Sequence, residues 1–230
     1  MKTLVIISHP EIDDSGSQQY LLSSVPQTED VTIHHLEGTY SASQPIDVEK
    51  EQQLLAAHDR ILFQFPFYWY SSPPMLKRWQ DEVLLEGFAY GKRTHRLSGK
   101  EFGLILVVGV PEKEYQAGGR EGFAISALTT PFQAIARKTG MEYLKPLVIF
   151  QFPYMKEHEK MALLIRYQQM LTGDKSDSLK AREEWIVEQL EQTDRNLLGA
   201  TGDLVLEEVL STIEDNRLTL DELEMLLDNM

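Results

Sequence analysis

Residues 61–85 read Ile61-Leu62-Phe63-Gln64-Phe65-Pro66-Phe67-Tyr68-Trp69-Tyr70-Ser71-Ser72-Pro73-Pro74-Met75-Leu76-Lys77-Arg78-Trp79-Gln80-Asp81-Glu82-Val83-Leu84-Leu85. Ile61 to Phe65 is an almost continuous apolar run, as in a strand buried on both faces of a parallel sheet. Pro66 ends the run, because proline has no N–H for a sheet ladder. Pro73 and Pro74 stand where a helix begins, with Ser71 or Ser72 as the expected cap. Met75, Leu76, Trp79 and Val83 then recur at helical spacing and give that helix one apolar face. Phe67 to Ser72 is therefore a strand-to-helix loop carrying three aromatics in succession. In an open α/β sheet such loops lie at the carboxyl ends of the strands, where ligands bind. Aromatic side chains at a loop tip suit a flat, partly apolar ligand.

Outward from this stretch the pattern repeats. Apolar strands are predicted at Lys2 to Ser8, Val31 to His35, Phe102 to Val108 and Pro146 to Gln151. Helices are predicted over Gln18 to Ser24, from an Asp47 cap through Ala57, and over Phe123 to Thr139, closed by Gly140. Five apolar runs separated by amphipathic segments are the pattern of a doubly wound parallel sheet. Periodicity alone leaves the strand order open. After Phe152 the strands stop. Helices are predicted over Lys156 to Leu171, Leu179 to Gln192, Asp203 to Thr212 and Leu220 to Leu227, the last opened by a Thr219-x-x-Glu222 capping box.

The chain has 230 residues, 42% apolar and 25% charged, ordinary values for a globular protein with a full core. No apolar run approaches the roughly 18–20 residues that span a bilayer, and Met1-Lys2-Thr3 leads into an apolar stretch too short for a signal segment. With no cysteine there is no disulfide, thiolate metal site or cysteine nucleophile. A cytoplasmic location without membrane insertion is expected. The net charge of −14 is uneven: residues 176–230 hold 15 acidic and 4 basic side chains, the rest 21 and 18. Nothing resembles the basic footprint of a nucleic-acid binder.

Ser8-His9-Pro10 closes the first strand, and Ser15, Ser17 and Gln18 open the first helix. Small hydroxyls at a helix start make a phosphate cradle, because backbone N–H groups there point at the anion. No Gly-x-x-x-x-Gly-Lys-Ser/Thr or Gly-x-Gly-x-x-Gly pattern occurs. On a strand, His34 and His35 point to opposite faces and cannot share a metal. Asp215 to Thr219 lacks the glycine and acidic alternation of a calcium loop.

The run Pro66-Phe67-Tyr68-Trp69-Tyr70-Ser71-Ser72-Pro73-Pro74, continuing through Leu76, Lys77, Trp79 and Asp81 to Gly87-Phe88-Ala89-Tyr90-Gly91, resembles the central motif of the flavodoxin-like NAD(P)H:quinone oxidoreductases. That family includes the ancillary oxidoreductase subunit of glutathione-regulated potassium efflux systems. The resemblance spans roughly residues 1–190 and implies a five-stranded parallel sheet in the order 2-1-3-4-5. It also implies a flavin, FMN or alternatively FAD, with NAD(P)H as electron donor and a quinone or similar flat molecule as acceptor. His9, Ser15, Ser17 and Gln18 would hold the phosphate end, although many members have asparagine at the last position. Pro66, Phe67, Tyr68, Trp69 and Tyr70 would wrap the ring, with Trp69 on the face where nicotinamide and quinone stack in turn. Tyr90 would reach across a homodimer interface to the partner's site.

One loop departs from the family. Relatives show Thr-Thr-Gly-Gly where this chain has Val107-Val108-Gly109-Val110-Pro111, which makes close backbone approach to a ring harder. Tyr115 matches the family's tyrosine, and Arg120 stands near the position of its histidine. Both would stabilise charge on reduced flavin, but arginine cannot relay a proton at neutral pH.

The expected organisation is thus a flavin-binding α/β domain over residues 1–195 and an acidic helical extension over 196–230. The function implied is two-electron transfer from NAD(P)H to a quinone by a ping-pong route. The alternative is a regulatory or binding protein on the same fold, such as a transporter's ancillary subunit, docking a protein partner through 196–230. A one-electron carrier would not need the motif at 66–91.

Overall fold

The computed structural model describes residues 1–91, 96–173 and 178–228. In chain order the first elements are β1 (Thr3–Ile7), α1 (Gly16–Leu22), β2 (Val31–His35), the short turn α2 (Leu36–Thr39), α3 (Val48–Ala57), β3 (Arg60–Pro66) and α4 (Pro74–Val83). There follow β4 (Glu101–Val108), α5 (Ile125–Leu128), α6 (Thr130–Thr139), β5 (Glu142–Tyr143), β6 (Leu147–Phe150), α7 (Glu157–Thr172), α8 (Leu179–Glu191) and α9 (Arg195–Asp228). The chain divides into two compact units, Met1–Thr172 and Gly173–Met230. α8, placed with the α/β domain by the sequence, falls in the second unit.

The first unit is a parallel sheet in the order β2-β1-β3-β4-β5, with β6 also paired to β4. This is the flavodoxin-like order. The single fifth strand expected at 146–151 is replaced by two segments on the same edge of β4. β5 pairs at Glu101–Phe102, and β6 at Ile105–Val108. Pro146, which has no N–H, lies in the gap between them. Gln151 leaves the strand altogether, in a left-handed conformation with φ 49°.

Strand alternation sends side chains to two cores. Leu4, Ile6, Phe63, Phe65, Phe102 and Leu104 pack with Trp79 and Phe132 on one face. Val5, Ile7, Leu62, Ile105 and Ile149 pack with Leu21, Leu163 and Tyr167 on the other. Burial on both faces explains why β3 shows no polar alternation. At the sheet's amino end Arg60 is 1% exposed, its Nε donating to Glu101 over 2.6 Å and its Nη1 to the Met170 carbonyl over 2.7 Å.

Several local expectations hold for local reasons. Asp47 caps α3 by accepting from the Lys50 N–H at 3.1 Å. Gly140 closes α6 with φ 76°, where a side chain is strained. Others fail. α4 starts at Pro74 with Pro73 as its cap residue, and neither Ser71 nor Ser72 caps it. The single helix expected over 123–139 breaks into α5 and α6 at Thr129, with Pro131 in the first turn of α6.

In the second unit the two helices expected in the tail are one, α9, interrupted only at Gly199, where φ is 63°. The capping box does not form, because the Thr219 hydroxyl donates instead to the Asp215 carbonyl, one turn back. Arg217 of α9 lies 3.7 Å from Glu183 and 3.5 Å from Glu184 of α8, so the hairpin is α8 with α9. Among the described residues no helix is long and apolar enough to cross a membrane.

Candidate functional site

β1, β3, β4 and β6 all end on one rim of the sheet, and the loops that leave them carry the sequence-predicted residues. After β1, the Ser8 N–H donates to the Gln64 carbonyl (3.0 Å), and the Ser8 hydroxyl donates to Glu37 (2.6 Å). The His9 N–H donates to the other Glu37 oxygen at 3.0 Å. His9 Nδ1 accepts from the Glu11 N–H at 3.1 Å, which leaves Nε2 to carry the proton of the neutral ring. Burial pulls the His9 pKa below its ordinary value; Glu37 opposes this and His35 adds to it. His35 Nε2 in turn lies 2.9 Å from the His9 carbonyl.

Ser15 caps α1, its hydroxyl accepting loosely from the Gln18 N–H (3.5 Å) and lying 3.3 Å from the Ser17 hydroxyl. Both hydroxyls sit at the free N–H end of the helix, as a phosphate cradle requires. The Gln18 side chain turns the other way. It is fully buried, its Oε1 accepting from Gln64 Nε2 at 2.6 Å, while Tyr167 donates to Gln64 Oε1 at 3.0 Å. The Gln18 amide nitrogen has no partner among the described residues.

The loop after β3 is a tight turn. The Phe67 N–H donates to the Val107 carbonyl (2.9 Å), and the Ser71 N–H donates to the Tyr68 carbonyl (3.0 Å). Between them Trp69 and Tyr70 adopt φ 46° and 62°, the left-handed region. Side chains are strained there by about 1–2 kcal/mol per residue, and such strain persists where a loop must present particular groups. Here the turn leaves the backbone N–H groups of Trp69 and Tyr70 without an acceptor among the described residues, and Trp69 89% exposed. Pro66 and Phe67 are buried beneath, while Tyr68 and Tyr70 are exposed.

Across from this turn, Val108 is buried, Val107 is half-buried, and Val110 packs against the core. Val110 needs no glycine, since its φ is not positive. The space over the Gly109 backbone is open: a Cβ built on it would meet nothing within 4 Å. The lost second glycine therefore does not obstruct the loop's backbone. Tyr115 is 8% exposed, with its ring 6.4 Å from Phe67 and 6.2 Å from Phe150. Burial, with Glu121 and Tyr70 nearby, raises its pKa and keeps the phenol protonated. The Tyr70 hydroxyl donates to Glu121 at 2.8 Å.

Two predicted residues stand apart from the cluster. Arg120 is turned to Glu114, its N–H and Nε donating to one carboxylate oxygen at 3.0 and 3.2 Å, with the side chain 80% exposed. Those bonds hold the Glu114 carboxyl below its usual range. Tyr90 is half-buried under its own Lys138, whose Nζ is 4.8 Å from the ring centre. Sequence reasoning missed Glu37 and Glu121. Gln64 did leave a trace, as the lone polar residue in the Ile61–Phe65 run. Among the described residues no three His, Asp or Glu side chains group to hold a metal.

The donor set fits a flat ring with an anionic tail. The Trp69–Tyr70 turn and Gly109 stand on the loops that leave β3 and β4, and His9, Ser15 and Ser17 on the loop that leaves β1 and the start of α1. Residues 1–171 match the Flavodoxin_2 family, described by its flavodoxin-like fold. NAD(P)H oxidoreductase YdeQ of Bacillus subtilis is 45% identical over 194 residues, 84% of this chain and 98% of YdeQ. An NADPH-quinone reductase from P. pentosaceus is 41% identical and superposes with a TM-score of 0.70, covering 75% of this chain and 98% of that one. General stress protein 14 of Treponema denticola, solved in complex with FMN, is 33% identical with a TM-score of 0.66, over 74% of this chain and 96% of its own. By sequence and by fold together, this chain belongs to the flavodoxin-like NAD(P)H:quinone oxidoreductase family.

Proposed function

We propose that the chain is an FMN-dependent NAD(P)H:quinone oxidoreductase. The carrying observation is the strained Trp69–Tyr70 turn, which sets unpaired N–H groups and an exposed indole beside Gly109 and Tyr115. FMN would supply a ring that takes a hydride from NAD(P)H and passes two electrons to the acceptor. Overall, NAD(P)H, one proton and a quinone give NAD(P)⁺ and the hydroquinone.

The chain's own residues bind and orient. The Trp69 and Tyr70 N–H groups would hold the ring by hydrogen bonds, and the open space at Gly109 would leave room for it. Tyr115, protonated and buried, would supply a hydrogen-bond donor for negative charge on the reduced ring. His9 Nε2–H and the Ser15 and Ser17 hydroxyls would hold the phosphate. Trp69, 89% exposed, would line the face where donor and acceptor stack in turn, and a shared face would make the kinetics ping-pong. Arg120, held by Glu114, lends charge only from the periphery. A homodimer, with Tyr90 at its interface, belongs to this reading.

The test is the visible spectrum after FMN addition and desalting, followed by quinone-dependent NAD(P)H oxidation at several fixed quinone concentrations. Retained flavin absorbance and parallel double-reciprocal lines are expected. A colourless protein without quinone-dependent oxidation overturns the reading.

A further inference from the structure

The loop after β4 folds back on itself before it meets the turn after β3. Within it the Glu121 N–H donates to the Glu114 carbonyl (3.2 Å) and the Gly122 N–H to the Gly119 carbonyl (3.1 Å). Arg120 adds its bonds to the Glu114 carboxylate. Gly119 is closed so tightly that a Cβ would fall 2.3 Å from the Glu114 carbonyl oxygen, and Gly118 and Gly122 adopt φ of 85° and 72°. This small self-stapled loop holds Glu121, half-buried, beside Gly122.

On the opposing side the left-handed backbone of Tyr70 carries its phenol across, and the hydroxyl donates to Glu121 Oε2 at 2.8 Å. The two loops are thus joined twice, at different depths. Beneath is the apolar contact of Phe67 with Tyr115. Above it, at the solvent side, is the Tyr70–Glu121 bond, whose acceptor is charged and therefore stronger than a neutral one.

We propose that Tyr70 and Glu121 form a cross-tie over the mouth of the site and set how wide an acceptor it admits. The tie favours a narrow, single-ring quinone over fused-ring acceptors. Glu121 is a positioning residue: it acts by holding Tyr70 and the loop, without touching the reacting atoms. The inference rests on the quinone-reductase reading.

The experiment compares kcat/KM for a single-ring benzoquinone and a two-ring naphthoquinone in the FMN-loaded full chain. Glu121→Ala and Tyr70→Phe are each expected to raise the naphthoquinone-to-benzoquinone ratio about fivefold, as the loss of one charge-assisted hydrogen bond permits. Glu121→Gln keeps an acceptor oxygen and should hold the ratio within about twofold of the unaltered chain. Amide hydrogen exchange over residues 116–122 should quicken in Glu121→Ala and not in Glu121→Gln. An unchanged ratio in Glu121→Ala overturns the cross-tie, as does an equal shift in Glu121→Gln, which would assign the effect to charge alone. A full chain that turns over neither quinone overturns the underlying reading as well.

Discussion

Nε2 of His34, on the edge strand β2, lies 2.9 Å from Oε1 of Glu51, a carboxylate on α3 with no exposed surface. The same carboxylate accepts from the Tyr40 hydroxyl at 2.6 Å and from the Trp79 indole N–H at 2.8 Å. Three side chains from separate parts of the chain thus converge on one buried charge. They join β2, the segment after α2, α3 and α4 on the face of the sheet that holds the larger core.

Glu51→Ala is expected to destabilise the protein by about 3–5 kcal/mol, because three buried donors lose their acceptor at once. Urea unfolding followed by circular dichroism measures this. Burial pushes the Glu51 carboxyl up, but the bonds from His34, Tyr40 and Trp79 outweigh it and hold it below its usual 4.5. The unfolded chain therefore takes the proton first as pH falls. Stability from this site is complete above that value and lost as pH drops through the folded pKa, so urea-measured stability should fall more steeply with acidification in the unaltered chain than in Glu51→Gln.

FMN affinity should depend on pH through His9. The free protein keeps this imidazole neutral near neutrality, its pKa lowered below 6.5 mainly by burial. A phosphate beside Nε2 favours the imidazolium, so binding takes up a proton. Between about pH 8 and about pH 6.5 the dissociation constant should fall as pH falls, by up to about tenfold per unit. Flavin-fluorescence titrations check this, and His9→Gln should flatten the slope. A slope that survives in His9→Gln would place the proton elsewhere.

Trp69→Asn should separate stability from activity. Asparagine tolerates the left-handed region better than tryptophan, and the indole at 89% exposure contributes little packing. Stability should hold or rise by up to about 1 kcal/mol, while quinone reduction falls. A lowered urea midpoint would show that the turn carries no strain.

Gly140→Ala should cost about 1–2 kcal/mol, since α6 ends there at φ 76°. The new methyl would also lie 2.9 Å from the Ser98 hydroxyl oxygen. Thermal unfolding should show a lower midpoint, and the spectrum of bound FMN should be unchanged because the α6 terminus is at the opposite end of the sheet from the loops that carry the candidate site.

What the sequence determined by itself was whatever local chemistry decides. The run Ile61–Phe65 had to be a buried strand and Pro66 had to end it. Asp47 had to start a helix, and Gly140 to stop one. The loops carrying His9, Trp69 and Tyr115 followed from where the strands end. Tertiary structure decided what depends on residues far apart in the chain. Gln18 looked like a cradle side chain, yet Gln64, itself held by Tyr167, draws it into the core, because a buried strand amide must find partners. Arg120 looked like a charge for the site, yet Glu114 holds it outside. Ser71 and Ser72 looked like caps, yet the turn through Trp69 and Tyr70 spends its geometry on presenting two N–H groups. Thr219 looked like a helix start, yet it lies inside a continuous helix that packs on α8. In each case local preference amounts to about 1 kcal/mol, and a competing hydrogen bond or packed face outweighs it.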